Sequence, residues 1–388
     1  MAEATVTEPG WLAERRQKGG SLVETLELPT KKVKGWEFTD LGGLDLDSYE
    51  NAAADAEISG GSDEIVVMRL ADALSGHADL LSAHLGSLVP AEDPFVARNE
   101  ANWTDGVLIH VPRNVVCEEP VKVRVNLDSP GAAVHWRTLI VLEEGAQVEV
   151  WEHYGSESDE TDALLNTVVE LSVGQNAALH YIATQDLSEE AWLFSSQRSE
   201  VERDGKLDWA ALGFGGGNGK VRMTTNLAGR GSEARVTGGY AGGNSQHLDF
   251  DTLQEHAAED TTSDLAFRGV LADRSTAVWR GMIKVDEGAQ RTDAFQECRN
   301  MLLSPDAHAD AIPGLEILAD DVACTHAAAV AQVDKDQLFY LRSRGLSEEE
   351  GRSLVVEGFL QALVERLGDG PVRDEIAARI EERLEEIL

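Results

Sequence analysis

The sequence predicts a mainly β protein with α-helical segments at both ends. Three observations carry this. From about Val107 to Val333, short apolar–polar alternations are cut every six to twelve residues by Gly, Asn, Asp or Ser, with no long helical pattern. Within that stretch a frame recurs. Before Gly145, Gly174 and Gly288, apolar residues stand five and three positions back: Ile140 and Leu142, Val169 and Leu171, Ile283 and Val285. Finally, the residues on either side carry apolar side chains at helical spacing. Repeated strand–turn–strand units with one inward face fit a solenoid, a barrel or a sandwich, and periodicity leaves the three open.

The elements divide the chain into residues 1–95, a helical region and linker; 96–333, the β core; and 334–388, a helical domain. In the first, "SDEIVVMRLADALSGHADLLSAHLGSLV" predicts a helix capped by Ser62 and closed by "PAEDP". The basic cluster Lys31, Lys32 and Lys34 reads as a solvated loop. In the core, "VKVRVNL", "TLIVLEEGAQVEVWEHY", "NTVVELSVGQNAALHYIA" and "AVWRGMIKV" read as strands. The alternation resumes after the first two frame glycines, at Val148 and Val150 and at Ala177 and Leu179, and turns polar after the third. In the last region, Ser347 and Glu350 form a capping box. Val356, Phe359, Leu360, Leu363, Val364 and Leu367 make an apolar stripe, which Gly368, Gly370 and Pro371 stop. Val372, Ile376, Ile380 and Leu384 then line up at steps of four. Such stripes usually pack on their own protein, although a helical appendix on a β body is also a place where partners dock.

Composition narrows the function. Asp and Glu total 70 against 33 Lys and Arg, a formal charge of −37, and only nine of the cations are Lys. The acids run along the whole chain rather than forming a tail. That distribution points to adaptation to high salt, where the screening length falls to about 3 Å at 1 M. No basic patch interleaved with aromatics appears, which argues against nucleic acid. There is no run of about 20 apolar residues and no apolar h-region in "MAEATVTEPGWLAERRQKGG", so a cytoplasmic location is expected. Three widely spaced cysteines, Cys117, Cys298 and Cys324, fit free thiols in a reducing compartment.

Familiar catalytic motifs are missing. There is no GxxxxGK[ST] loop; "GFGGGNGK" places Val221 after its lysine and reads as a turn. There is no CxxC pair and no GxSxG elbow. What remains is a scatter of His, Cys and acids. His247, Asp249 and Asp251 alternate on one strand face, which in so acidic a chain reads as a solvent face. His308 and Asp310 alternate likewise. Cys324 and His326 share a face if "DVACTHAAAV" is a strand, and thiolate with imidazole suits iron or zinc, but two ligands are too few for a closed site. A buried Cys beside a hydrogen-bonded His is the commoner arrangement.

Longer motifs supply a resemblance. "LEILADDVACTHAAAVAQVDKDQLFYLRSRGL", "GMIKVDEGAQRTDAFQECRNMLLSPDAHADAIP" and "DGVLIHVPRNVVCEEPVKV" resemble the signatures of the SufB/SufD family of iron–sulfur cluster assembly proteins, over about residues 105 to 365. Ala307 stands where SufB-like chains carry a cysteine, and Ala327 where they carry Glu, so the resemblance is to the SufD branch. One departure is Ala327-Ala328-Ala329 in place of the usual Gly-Ala-Thr. The resemblance implies a right-handed parallel β-helix core between N-terminal and C-terminal helical segments. It implies a non-catalytic scaffold that pairs with a SufB-like subunit through the β-helix and binds a SufC-type ATPase through the C-terminal helical domain, in the region of Phe359, Leu360 and Leu363. His326 matches the histidine that faces the partner's site, with Cys324 its neighbour. No cofactor is expected on the chain alone, but a transient iron–sulfur cluster at the interface, with His326 as a metal ligand completed by the partner. The other readings are a SufB-like cluster carrier, a homodimeric scaffold, or a β-helix enzyme acting on polysaccharide through Asp249 and Asp251.

Overall fold

A computed structural model describes residues 8–368 and 370–388, with the backbone alone at 371. The first seven residues of the N-terminal stretch read above lie outside the described residues. Helix α1 (Gly10–Thr25) is followed by an extended segment, then the short strands β1 (Glu50–Ala52), β2 (Asp55–Ser59) and β3 (Val66–Arg69), and three helices, α2 (Leu70–Gly76), α3 (Ala78–His84) and α4 (Pro94–Asn102). The helix expected from Ser62 is therefore corrected. Val66–Arg69 pairs antiparallel with Val107–His110 as a strand, and helix begins only at Leu70. The β-branched pair Val66-Val67 favours this pairing once a partner edge is available.

Sixteen strands then alternate between two sheets. One holds β4 (Asp105–Val111), β6 (Ala132–Leu142), β8 (Leu164–Val173), β10 (Trp192–Val201), β12 (Asn218–Leu227), β14 (His247–His256), β16 (Thr276–Val285) and β18 (His308–Ile317). The other holds β5 (Val121–Asn126), β7 (Gln147–Gly155), β9 (Ala178–Asp186), β11 (Lys206–Gly213), β13 (Glu233–Gly242), β15 (Thr262–Leu271), β17 (Thr292–Leu302) and β19 (Val322–Gln332). Each strand pairs in parallel with the strand two places on, so the core is a parallel β-solenoid of eight coils. Inward side chains such as Val169, Tyr181, Trp209, Phe267 and Trp279 fill the lumen as one continuous core.

The corners match the recurring frame only in part: Gly145 is the positive-φ residue of its corner, but Gly174 and Gly288 stand shortly before theirs, Asn176 and Arg291. At one corner a residue with positive φ recurs in successive coils: Asn114, Gly145, Asn176, Asp204, Gly231, Asp260 and Arg291. Each donates its backbone N–H to the corner of the next coil, from Asn114 to the Glu144 oxygen through to Arg291 and the Asp321 oxygen at 2.6 Å. Asn, Asp and Gly tolerate this left-handed geometry, so they punctuate the strands. Asp320 and Asp321 accordingly belong to the last corner; the Asp321 N–H donates to Gln290 Oε1 at 2.9 Å.

Two layers cover the solenoid. On the first sheet, α1 to α4 pack Leu12, Leu70, Leu81 and Trp103 over Leu108, Leu139 and Val141. The extended segment continues across the same sheet, with Trp36 stacked on Phe95 at 5.5 Å between ring centres. Lys31, Lys32 and Lys34 sit exposed on it as expected, Lys31 paired with Asp40 at 2.7 Å. On the second sheet lie α5 (Lys335–Ser343), α6 (Glu348–Val364) and α7 (Pro371–Ile387), with the Ser347–Glu350 capping box formed in both directions. Val356, Leu360, Leu363, Val364, Leu367, Val372, Ile376, Ile380 and Leu384 are buried against Trp151, Ile182, Leu212 and Val270. At about 1.5–3 kcal/mol per fully buried apolar side chain, nine such residues make the helical layer a fixed part of the molecule.

Buried histidines give the fold an acid limit. Desolvation pushes the His256 pKa down to about 4; its neutral ring is held by the Thr261 and Ser263 hydroxyls at 2.8 and 2.9 Å. His135 is lowered to about 4 for the same first reason, with Arg98 second. An unfolded chain has both near 6.5. Between pH 6.5 and 4 the unfolded state therefore binds more protons, so stability is complete above 6.5 and falls through that window. His256→Gln is expected to flatten the slope of denaturation midpoint against pH there. An unchanged slope would remove His256 from the explanation.

Candidate functional site

The polar residues singled out in the sequence separate into two groups. The alternating set on β14 is not on a solvent face, which corrects that expectation. Asp249 is 3% exposed, lies under the extended N-terminal segment, accepts a hydrogen bond from Thr39, and pairs with Lys220 Nζ at 2.6 Å. His247 bonds the Thr276 hydroxyl at 2.8 Å. Burial, opposed by Lys220 and Arg280, raises the Asp251 carboxyl. "GFGGGNGK" is the turn between β11 and β12 and delivers Lys220 to this buried pair. Asp249 is buried and ion-paired, so it does not share an open groove with Asp251, whose side chain is 25% exposed.

The second group lies at the far end of the solenoid. β18 and β19 are the last strands of their sheets, each with one edge unpaired among the described residues. On β19, Cys324 and His326 pair in register with Ala294 and Gln296 of β17, so they share the inward face. Among the described residues no further coil covers that face. His326 is exposed, and its side chain has no hydrogen-bond or ion-pair partner among the described residues. Cys324 is half-buried against the cluster of Ile283, Val285 and Ala289. That burial, with the Asp293 charge second, pushes its thiol up, away from the thiolate form that binds metal. Cys298 is wholly buried, its pKa pushed up to about 12, and Cys117 is buried with its thiol donating to the Glu119 oxygen at 3.2 Å. Among the described residues no group of three or more His, Cys, Asp and Glu could hold a metal ion.

Around His326 the terminal coil is apolar. Leu315, Ile317 and Val330 are exposed on its inward face, Leu318 follows at the strand end, 55% exposed, and Ile312 is exposed on the outward face in register with Arg280. On the inward face the positions continue columns that are buried one coil earlier: Leu315 follows Ile283, and Ile317 follows Val285, both 0% exposed. Exposure here reflects a missing neighbour rather than a polar surface. Pro313, which lacks an N–H, is tolerated because β18 is an edge strand. His308 pairs with Asp310 at 3.2 Å on the exposed side of β18. Ala307, where a cysteine was looked for, is buried.

The residues named for ATPase binding lie on the side of α6 that packs on the solenoid. Leu360 and Leu363, 3% and 2% exposed, are spent on the β body, and Phe359 is half-buried beneath the Arg268 guanidinium. The apolar surface of the helical layer consists instead of Phe339, 74% exposed, with Tyr340 and Leu354. Stripe periodicity finds the buried side of a helix. It cannot find isolated exposed apolar residues such as these, and they were missed.

Comparison with known proteins gives a consistent picture. A family model described as "SUF system FeS cluster assembly, SufBD core domain" matches residues 125–359, and one described as "SufBD protein N-terminal region" matches residues 47–123. The iron–sulfur cluster assembly protein SufD of Bacillus subtilis is 28% identical, over 97% of this chain and 95% of its own. An iron–sulfur cluster assembly SufBD family protein of Staphylococcus haemolyticus is also 28% identical, over 82% of this chain and 68% of its own. No helix among the described residues is long and apolar enough to cross a membrane.

Proposed function

This chain belongs to the SufBD family of iron–sulfur cluster assembly proteins, SufD-like in sequence, and from that premise we propose that it is a non-catalytic scaffold supplying half of an assembly site. The observation that carries the reading is the uncovered terminal coil. Two free strand edges and an apolar inward face surround one unpartnered imidazole. A parallel solenoid is completed by another coil, and the chemistry that fits is the corresponding end of a SufB-like β-helix. Docking would bury Leu315, Ile317 and Val330 and bring His326 to thiolates carried by the partner. His326 would then donate a neutral nitrogen to iron or polarise a sulfur, with the transient cluster as cargo. Cys324, with its raised pKa, serves as packing beside it.

A SufC-type ATPase would dock on the helical layer, at Phe339, Tyr340 and Leu354, while Leu360 and Leu363 hold that layer in place. The acidic surface fits a high-salt cytoplasm. The test is copurification from high salt. A SufB-like chain and an ATPase are expected to come down with the tagged wild-type protein, and Leu315→Asp should lose the SufB-like chain while keeping the ATPase. Retention of both by Leu315→Asp would refute docking through the terminal coil. A homodimer across the same edge is the second reading, favoured by the same free strands, and would appear as a dimer with no partner present.

A further inference from the structure

We propose that the basic tip of the N-terminal extended segment, residues 30–38, is a docking site for a short acidic segment of another protein, one that also carries an apolar side chain. Lys31, Lys32 and Lys34 are three of only nine lysines in a chain of formal charge −37. All three are exposed. Lys31 pairs with Asp40, but Lys32 and Lys34 have no ion-pair partner among the described residues.

Two tight turns set these side chains out. The Val33 N–H donates to the Thr30 oxygen at 2.8 Å, and the Trp36 N–H to the Val33 oxygen at 2.9 Å. Gly35 supplies the positive φ, 92°, that the second turn requires. The base of the tip is anchored. Trp36 stacks on Phe95 and lies against the Arg222 guanidinium at 4.7 Å, and Glu37 accepts from Arg280 at 2.8 Å. The lysines therefore stand on a fixed support.

The same tip is apolar where it is not basic. Outside the terminal coil and the helical layer, the exposed large apolar side chains among the described residues are Val33, Phe38 and Val116, and two of those three are here. Beside Val33 and Lys34 opens a cavity of about 710 Å3, between the tip and the residues that lead into α4. Leu28, Pro29, Trp36 and Pro90 give it apolar walls. Arg198 and Arg222, which also line it, are already paired with Glu255 and Asp93. Glu27 and Glu92 line it as well, so the cavity suits the apolar side chain and the occupant's acids meet the tip. Neither the terminal coil nor the helical layer contributes to this surface.

Charge selects the occupant. A nucleic acid or an anionic membrane would bring many anions against a chain of −37, and three lysines release too few counterions to hold either. A short acidic segment needs to meet only the lysines. The screening length falls to about 3 Å at 1 M salt, so long-range repulsion is then lost and contact pairs remain. Such pairs are weak singly, so burial of the apolar side chain has to add the rest.

The test is fluorescence anisotropy of the labelled peptide Glu-Asp-Leu-Glu-Asp-Phe-Glu-Asp with the full chain, in about 1 M KCl. Saturable binding is expected. It should be at least about tenfold weaker for Lys32→Glu with Lys34→Glu, and for Val33→Asp. The thermal midpoint should hold in the lysine variant, because both residues are exposed and unpaired. The same peptide with Lys for each acid should not bind. Absence of saturable binding by the acidic peptide overturns the inference, as does equal binding to the wild type and the lysine variant. Equal or tighter binding of the basic peptide, of oligothymidylate or of phosphatidylserine vesicles overturns it too.

Discussion

A reconstituted complex carrying His326→Ala is expected to assemble iron and sulfide at a yield at least about tenfold below wild type, since loss of an outer-shell group alone costs 10- to 100-fold at metal sites. The chain itself should be unharmed. His326 is exposed and holds no described partner, and surface substitutions of that kind change stability by about 0.5 kcal/mol or less. Copurification of the SufB-like chain should also persist, because in the proposed complex the apolar rim rather than the imidazole would supply the docking area. The measurement is acid-labile sulfide and iron per complex, with thermal midpoint and subunit stoichiometry as controls. An unchanged yield would remove His326 from the mechanism. A lost partner would recast it as an interface contact.

The largest expected effect on stability lies elsewhere, where α1 and α4 meet the first sheet. Arg137 on β6 is 1% exposed. It pairs with Glu100 of α4, donates to Asn99 Oδ1 at 2.7 Å, and lies 3.8 Å from Glu170 of β8. Arg15 of α1 reaches the same Glu100 at 2.6 Å. Burial raises the Glu100 carboxyl, and Arg137 with Arg15 more than offsets this, leaving it below its ordinary value. Glu170 in turn accepts backbone N–H groups from Gly86, Leu88 and Val89. Arg137→Ala would leave two buried carboxylates facing each other across a cavity. The expected cost is about 3–5 kcal/mol, the range found when one partner of a buried ion pair is removed. Arg137→Met with Glu100→Gln should recover part of it. Denaturant unfolding in high salt measures both. A loss under about 1 kcal/mol for Arg137→Ala would show that the network is already solvated.

Much of the architecture was legible. Alternation at period two marked the strands from Asp105 to Gln332, because inward and outward side chains meet such different surroundings. The C-terminal stripes and the Ser347–Glu350 cap were readable for the same local reason. The coil length was not: Gly145 and Gly174 are 29 residues apart, but the corner counterpart of Gly145 is Asn176, and that coil pairs Leu142 with Val173. The Ser62 segment misled because apolar spacing fits a strand followed by two short helices as well as one helix, and the free edge of β4 decided between them. His247, Asp249 and Asp251 misled because alternation reports a shared face and not what covers it; the cover comes from residues about 210 positions away, with Thr39 on Asp249.

By itself, the sequence determined where most strands and helices fall, and through its long motifs the family. Those are properties of neighbours along the chain or of whole matched segments. Only the tertiary structure decided that Leu360 and Leu363 are spent internally, that Asp249 is buried with Thr39 and Lys220 bonded to it, and that His326 stands at an uncovered coil. The physical reason is that burial depends on which coil or layer comes next in space. At the end of a solenoid nothing comes next, so residues patterned for a core are left waiting at a surface.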